Sequence, residues 1–157
     1  MARLRGWALR GERCRASVPH GHWKTITFVG GFTLQGFIAP MLLDGPMEGE
    51  CFRAWVEQML APALRPGQIV VMDNLPAHKV VGVQQAIENR GAELLYLPPY
   101  SPDLNPIENA FSKFKAHLRK AAARTFEALA AAAANALCEF SYSDCLNFFA
   151  HAGYELD

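Results

Sequence analysis

The sequence predicts an α/β fold, and three patterns along its 157 residues support that class. Strand-forming residues fill positions 23–43, two short apolar runs bracket a helical segment between residues 69 and 97, and helical patterns dominate from residue 105 onward. A strand, a helix and a second strand in succession normally form a right-handed parallel unit. We therefore expect a mixed sheet flanked by helices.

The first half of the chain predicts a β-hairpin followed by a helix. Strands are expected at residues 23–33 and 35–43, with the turn either at Gly30-Gly31 or at residues 34–36. Apolar residues at helical spacing then predict one helix over residues 48–64, which Pro66-Gly67 would end.

The second half predicts the parallel unit and a helical end. The continuous apolar run 69–72 is typical of a strand buried on both faces. A helix over 79–89, closed by Gly91, leads to a second strand at 92–97. Asn105 is the expected N-cap of the next helix, with Pro106 at its first position, and further helices are expected at 125–140 and 143–150.

The chain is predicted to form a single domain, residues 1–157, with residues 121–157 as a helical extension of that domain. No apolar run suits a signal peptide or a membrane span, so no membrane partner is expected. The four cysteines have no zinc-like spacing and are expected to be free thiols of a reducing cytoplasm.

Charge is balanced overall but unevenly distributed. Fifteen basic and fifteen acidic residues cancel, yet residues 110–126 contain five bases and no acid, and residues 127–157 contain five acids and no Lys or Arg. The basic block is either a set of phosphate contacts or a solvated helix face. Its members are Lys113, Lys115, Arg119, Lys120 and Arg124.

Two acidic residues occupy positions suited to chemistry. Asp73 follows the apolar run 69–72, and Glu108 lies three residues after the expected N-cap Asn105. The carboxyl end of a buried strand is where α/β sheets hold ligands, and two convergent carboxylates are the minimum for a hard cation such as Mg²⁺. The alternatives are structural: Asp73 as a turn-forming residue and Glu108 as the reciprocal half of a capping box.

The segments around both acids resemble a known family. Asp73-Asn74-Leu-Pro-Ala-His78-Lys79 and the later Leu-Pro-Pro-Tyr-Ser-Pro-Asp-Leu-Asn-Pro-Ile-Glu108-Asn109 are similar to the DDE-superfamily transposases, in the bacterial insertion-sequence branch related to the mariner group. The resemblance extends over almost the whole chain. It implies a ribonuclease H-like fold, in which this sequence lacks the family's first, central strand and the first catalytic Asp on it.

That missing strand would lie between the hairpin and the Asp73 strand, leaving unpaired backbone groups on both neighbours. Either residues 1–20 fill the gap, or a partner does, or the chain is marginally stable.

The resemblance also implies a site and its ligands. Asp73 and Glu108 would be catalytic metal ligands for Mg²⁺, with Mn²⁺ as a substitute, bound weakly without the first Asp. Residues suggested to orient these acids or to contact DNA are Asn74, His78, Lys79, Asn109, Lys113, Lys115, Arg119 and Lys120. For the two asparagines and for His78 and Lys79, ordinary surface or capping contacts remain the alternative.

Two other candidates are disfavoured. His20-Gly21-His22 has no further ligand at suitable spacing and is read as a loop before the first strand. Asp44 is the one stand-in for the missing acid, but it falls in a turn that the family places away from the chemistry.

The expected function is that of a DNA transposase catalytic-domain fragment, cytoplasmic and nucleoid-associated. The complete enzyme would cut double-stranded DNA at transposon ends by two-metal hydrolysis and join it to target DNA, working as a dimer. This chain alone is expected to be inactive. The alternative is a non-catalytic remnant that binds DNA or a full-length transposase.

Overall fold

The computed structural model describes residues 7–13, 15 and 25–155. The elements follow one another as a hairpin, a helical segment, a parallel strand pair around a short helix, and three longer helices. The strands are β1 (Ile26–Thr33), β2 (Gly36–Asp44), β3 (Ile69–Met72) and β4 (Glu93–Tyr96), and the helices are α1 (Gly49–Trp55), α2 (Ala61–Ala63), α3 (Val83–Glu88), α4 (Pro106–Ala121), α5 (Phe126–Cys138) and α6 (Tyr142–His151).

The predicted hairpin is confirmed, with its turn at the second of the two suggested positions. β1 and β2 pair antiparallel from Ile26 opposite Asp44 to Thr33 opposite Gly36. Gly36 has a φ of +104°, a left-handed value that an L side chain rarely adopts, so glycine is needed at the end of this turn. Gly30-Gly31 instead lies within β1, next to a register shift between Val29 and Gly31.

The helix predicted over residues 48–64 is interrupted. α1 passes into a π-helical turn, Val56–Leu60, before the short α2. The Ala61 N–H donates to the carbonyl of Val56, five residues back. The physical reason is Pro62, which has no N–H to donate and whose ring crowds the preceding turn, so the α-helical ladder cannot continue unchanged.

The parallel unit is confirmed, with two corrections. β3 pairs parallel with β4, Ile69 opposite Glu93 and Met72 opposite Tyr96. The helix predicted over 79–89 is shorter, because Gly82 has a φ of +101° and separates a 3₁₀ turn at Pro76–Lys79 from α3. β3 is also not buried on both faces, since Ile69 is 61% exposed.

The three helices predicted after residue 105 are present, and each begins within one residue of its expected start. Asn105 is the N-cap of α4, and Thr125 Oγ1 accepts a hydrogen bond from the Ala128 N–H at the start of α5. α6 begins with a capping box between Ser141 and Asp144. No helix among the described residues is long and apolar enough to span a membrane.

Two hydrophobic clusters hold these layers together. One packs α1, the π turn and α3 around buried Trp55, Val56 and Ile87. The other packs α4 against α5 through Phe114, Leu118 and neighbouring alanines, with the hairpin's Phe28 on its edge. Within residues 25–155 the two strand pairs form separate two-stranded sheets, so no ladder joins the hairpin to β3 and β4. This is the interruption expected where the family's central strand would lie.

Candidate metal and nucleic-acid site

Asp73 lies directly after β3, at the carboxyl end of a parallel strand. Its Oδ1 accepts a hydrogen bond from the Leu75 N–H at 3.3 Å, which is the local turn that the structural alternative predicted. The same oxygen is 2.5 Å from His78 Nδ1. The Asp73 side chain is 40% exposed to solvent. Both contacts involve Oδ1, so Oδ2 has no partner among the described residues.

His78 is held in place on three sides. Its ring stacks on Phe52 with centroids 4.3 Å apart, its carbonyl accepts a hydrogen bond from Tyr96 Oη at 2.8 Å, and its Nδ1 meets Asp73. Although Nδ1 is close to the carboxylate, no hydrogen bond of acceptable angle forms there, so we read the contact as an ion pair that exists only when the ring is protonated. Burial raises the pKa of the Tyr96 hydroxyl, which therefore stays protonated as the donor.

Glu108 is at the third position of α4, as the sequence predicts, but the capping box does not form. Asn105 is the N-cap without a side-chain cap, and the Glu108 N–H donates to the Asn105 carbonyl at 3.1 Å. The Glu108 side chain is exposed and makes no hydrogen bond or ion pair within the described residues. Its carboxylate is thus available for a ligand at the start of α4.

The two acids line the same cleft. Asp73, His78, Asn105 and Glu108 all line a cavity of about 640 Å³ that runs between β1 and β3. Asp44, at the end of β2, is not among its lining residues. The residues 20 and 22 of the His-Gly-His motif lie outside the described part of the chain.

The two asparagines differ in their surroundings. Asn74 Oδ1 is buried and has no hydrogen-bond partner in the described structure. A buried acceptor of this kind normally has a donor, a water or an ion beside it. Asn109 is half-buried in the first turn of α4, next to Glu108.

The basic side chains separate into two groups. Lys113 donates to the Glu139 carbonyl at 2.6 Å and to Asp144 Oδ2 at 2.9 Å, so its charge ties α4 to the start of α6. Lys79, Lys115 and Lys120 are exposed, and Arg119 is half-buried. Lys115 Nζ lies 5.8 Å from the ring of Phe111, another residue that lines the cleft.

Sequence reasoning did not assign Phe52, Phe149 or Tyr154 to the site. Phe52 fits the apolar stripe of its helix and carries no local sign that it stacks on His78. Phe149 and Tyr154 line the cleft from the C-terminal end, where Tyr154 Oη donates to the Leu104 carbonyl at 3.2 Å. No sequence signal could have revealed these contacts, since each joins residues that are distant along the chain.

The donors present fit a hard divalent cation in kind but not in number. Carboxylate oxygens are ligands that Mg²⁺ and Mn²⁺ accept, and within the lining of the cleft Asp73 and Glu108 supply them. Within the described residues, however, no group of three or more His, Cys, Asp or Glu side chains is arranged to hold a metal ion.

Comparison with known proteins identifies the family. A family profile described as DDE superfamily endonuclease matches residues 1–130. The chain belongs to this superfamily. No curated protein matches the sequence.

Solved structures show the same fold. A Mos1 transposase paired-end complex with left transposon end superposes with a TM-score of 0.78 at 18% identity, over 96% of this chain and 47% of that one. A Mos1 strand transfer complex gives 0.72 at 17% identity, over 99% and 51%. The catalytic domain of Mos1 mariner transposase gives 0.57 at 15% identity, over 85% and 82%. The fold is therefore ribonuclease H-like, and the chain spans about half the length of the first two structures.

Proposed function

We propose that this chain is part of the catalytic domain of a DNA transposase, which in its complete form hydrolyses phosphodiester bonds and transfers DNA strands. The observation that supports this most directly is that Asp73 and Glu108 line one cleft, in a chain of the DDE endonuclease superfamily. Their positions at a strand end and a helix start are suited to holding a cation beside a phosphate.

In this proposal Asp73 and Glu108 are the metal ligands, and Mg²⁺ or Mn²⁺ is the ion. When bound, such an ion activates a water molecule and stabilises charge on the leaving oxygen. Asp73 is oriented by its hydrogen bond from Leu75 and by the neighbouring His78. Asn74 and Asn109, adjacent in sequence to the two acids, would complete the polar surroundings.

His78 acts as a positioning residue in this scheme. The Phe52 stack and the Tyr96 hydrogen bond fix its ring and backbone, so the imidazole stays beside Asp73 Oδ1 and the carboxylate keeps the orientation that its turn gives it. Held in this way, the carboxylate is pre-organised for a ligand, which reduces the entropy lost on binding.

DNA would follow one face of α4 away from the acids. An α-helix turns about 100° per residue, so Lys115 and Arg119 lie within roughly 20° of the direction of Glu108, whereas Lys120 points roughly 120° away. Lys79 is a further exposed base, and its Nζ lies 5.5 Å from the centre of the Tyr96 ring. These side chains would contact phosphates without reading base sequence.

Two carboxylates alone predict weak metal binding and little or no cleavage by this chain. Isothermal titration with Mn²⁺ should show a weak site in the wild-type protein, reduced at least tenfold in Asp73→Asn and in Glu108→Gln. Asp103→Asn is the matched control, because Asp103 is an exposed acid close to α4 that does not line the cleft. Equal binding in all four proteins would exclude this pair as the metal ligands.

The second prediction of the proposal concerns activity. Purified chain with Mg²⁺ and DNA carrying transposon-type inverted repeats should leave the DNA uncut. Cleavage that disappears in Asp73→Asn would show that the chain has a complete active site and would contradict the proposed incompleteness.

A non-catalytic role is the second candidate, and the absence of a three-ligand metal group within the described residues favours it. In that role the chain would bind DNA through α4 without cutting it. Salt-dependent DNA binding that is unchanged by Mn²⁺ and by Asp73→Asn would support this candidate over the first.

A further inference from the structure

The end of α6 contributes to the wall of the cleft beside Glu108. Phe149 and Tyr154 line the cleft together with Asn105 and Glu108. The proposed chemistry uses neither aromatic residue, and both belong to α6 and the turn that follows it. The end of α6 and the start of α4 therefore border the same site.

The turn after α6 has the hydrogen bonds of a Schellman motif. The N–H groups of Tyr154 and Gly153 donate to the carbonyls of Phe149 and Ala150, each at 3.1 Å. Gly153 has a φ of +86°, the left-handed conformation that this motif requires at the residue after the C-cap. The motif often brings its first and last side chains into contact, and here the Phe149 and Tyr154 rings meet edge to face with centroids 5.6 Å apart. The cap thus fixes the position of the Tyr154 ring.

Two contacts attach α6 to the first part of α4. Tyr154 Oη donates to the Leu104 carbonyl at 3.2 Å, one residue before the N-cap of α4. Lys113, in the middle of α4, donates to Asp144 at 2.9 Å, near the start of α6. Because these pairs follow opposite orders along the two helices, α6 lies antiparallel to α4 and is attached at both of its ends. The Tyr154 end is next to the turn that carries Glu108.

The start of α4 lacks the side-chain hydrogen bonds that normally fix a helix end. Asn105 is the N-cap without a side-chain cap, and the capping box with Glu108 does not form. An uncapped helix start frays more readily than a capped one. A contact from another element can supply the missing restraint, and the hydrogen bond from Tyr154 reaches the chain four residues, about one helical turn, before Glu108.

We propose that Tyr154 is a positioning residue for Glu108. Its hydroxyl holds the backbone at Leu104, so the first turn of α4 keeps the Glu108 carboxylate in the cleft that Asp73 also lines. Gly153 serves the same purpose indirectly, because the cap that it allows sets the position of Tyr154. The inference rests on the metal role proposed above for Glu108.

Tyr154→Phe removes the hydroxyl and keeps the ring contact with Phe149. In hydrogen–deuterium exchange without metal or DNA, the amides of Asn105 and Glu108 should exchange about threefold faster, with little change in α3. In calorimetric titration, Mn²⁺ affinity should fall about three- to tenfold, the size expected for one hydrogen bond. Tyr142→Phe is the control and should match the wild type in both measurements, because Tyr142 is 59% exposed on α6 and does not line the cleft.

A matched pair of glycines separates positioning from a general loss of stability. Gly153 and Gly67 have φ values of +86° and +82°, and a Cβ added at either would meet no atom within 4 Å. Alanine at either position should therefore introduce similar backbone strain and lower the urea midpoint by a similar amount. Gly153→Ala should also lower Mn²⁺ affinity about as much as Tyr154→Phe does. Gly67→Ala, in the turn before β3, should bind Mn²⁺ as the wild type does.

The effect of Tyr154 should depend on Glu108. In a Glu108→Gln background, Tyr154→Phe should cause no further loss of Mn²⁺ affinity, because the residue that it positions is no longer a carboxylate ligand. A further loss of the same size in that background would show that Tyr154 acts elsewhere and would overturn the proposal.

The remaining outcomes distinguish this inference from the proposed function. Mn²⁺ affinity that falls in Glu108→Gln but not in Tyr154→Phe would overturn the positioning role and leave the proposed metal pair intact. Affinity that Glu108→Gln does not change would overturn the metal role of Glu108 and the role of Tyr154 with it. Equal losses of affinity in Gly153→Ala and Gly67→Ala would mean that lowered stability, and not a displaced Tyr154, weakens the site.

Discussion

The local contacts of Asp73 use only one of its two carboxylate oxygens. Oδ1 accepts the hydrogen bond from the Leu75 N–H and lies beside His78 Nδ1, so Oδ2 remains available within the described structure. The structural and functional interpretations of this residue are therefore compatible. Glu108 differs, because the capping role that was the structural alternative for it is not adopted and its side chain is exposed.

Removal of the Tyr96 hydroxyl oxygen tests whether its hydrogen bond to His78 contributes to stability and to the metal site. Tyr96→Phe removes the hydrogen bond to the His78 carbonyl while keeping the ring, and should lower the free energy of unfolding by about 1 kcal/mol. Because His78 would lose one of its anchors, Mn²⁺ affinity should fall as well. Urea unfolding and calorimetric titration measure the two effects.

Tyr142→Phe is the matched control, since Tyr142 is 59% exposed on α6 and away from the cleft. A Tyr96→Phe protein that loses stability but keeps its Mn²⁺ affinity would limit Tyr96 to a structural role.

At the end of α4, an alanine has a backbone conformation that favours glycine. Ala122 is the C-cap residue with φ of 51° and ψ of 32°, the left-handed region where glycine is preferred. Ala122→Gly should therefore stabilise the protein by about 0.5–1 kcal/mol, because the strain at Cβ exceeds the added entropy of the unfolded chain. Thermal unfolding would show a rise of a few degrees.

Ala121→Gly, one residue earlier and still within α4, should destabilise by about 1 kcal/mol and serves as the control. A stabilising effect at both positions would point to the unfolded state as the cause.

The junction of α4 and α6 depends on Lys113 and Asp144. Hydrogen bonds from Lys113 and then from Ser141 hold the pKa of the Asp144 carboxyl well below its ordinary value. Since the folded pKa is depressed, the stabilisation is fully present above about pH 4, where the unfolded carboxyl is ionised, and is lost as pH falls through the lower folded pKa.

Lys113→Met should cost about 1 kcal/mol at pH 7, a value kept modest because both partners are partly exposed to solvent. In urea unfolding the difference from wild type should shrink as pH falls from 4 towards 2. Lys120→Met, an exposed base on the same helix, should show no such pH dependence.

At the scale of the molecule, the distribution of charge bears on the proposed DNA binding more than the net charge does. Positive side chains on α4 lie beside a cleft whose lining contains Asp73 and Glu108 and no Lys or Arg. A phosphate backbone can therefore be held by α4 while a cation is held by the acids. The DNA binding proposed above is therefore compatible with a chain in which fifteen bases balance fifteen acids.

Salt dependence of DNA binding tests this arrangement. The slope of log K against log salt should decrease by roughly 0.9 for each phosphate contact removed, so Lys115→Gln with Arg119→Gln should reduce it by about 2. Lys120→Gln, on another face of α4, should change it little. Fluorescence anisotropy with a duplex of arbitrary sequence measures the slopes, and equal effects of all three bases would rule out a single DNA-facing side.

Much of the local structure could be predicted because it depends on neighbours in sequence. Ile69–Met72 is an apolar run that follows Pro66-Gly67, and Asn105 with Pro106 favours a helix start. The predictions that were wrong concern the length of two helices and the burial of β3. Pro62 and Gly82 changed helices locally, and the exposure of Ile69 depends on a neighbour that its own sequence cannot report.

The sequence by itself determined where the strands and helices form and which of their ends carry a carboxylate, because backbone hydrogen bonding and capping act within about four residues. Only the tertiary structure decided that Phe52 and Tyr96 fix His78 beside Asp73, and that Glu108, β1 and β3 line the same cleft. Such contacts join residues tens of positions apart, and they arise from how whole elements pack.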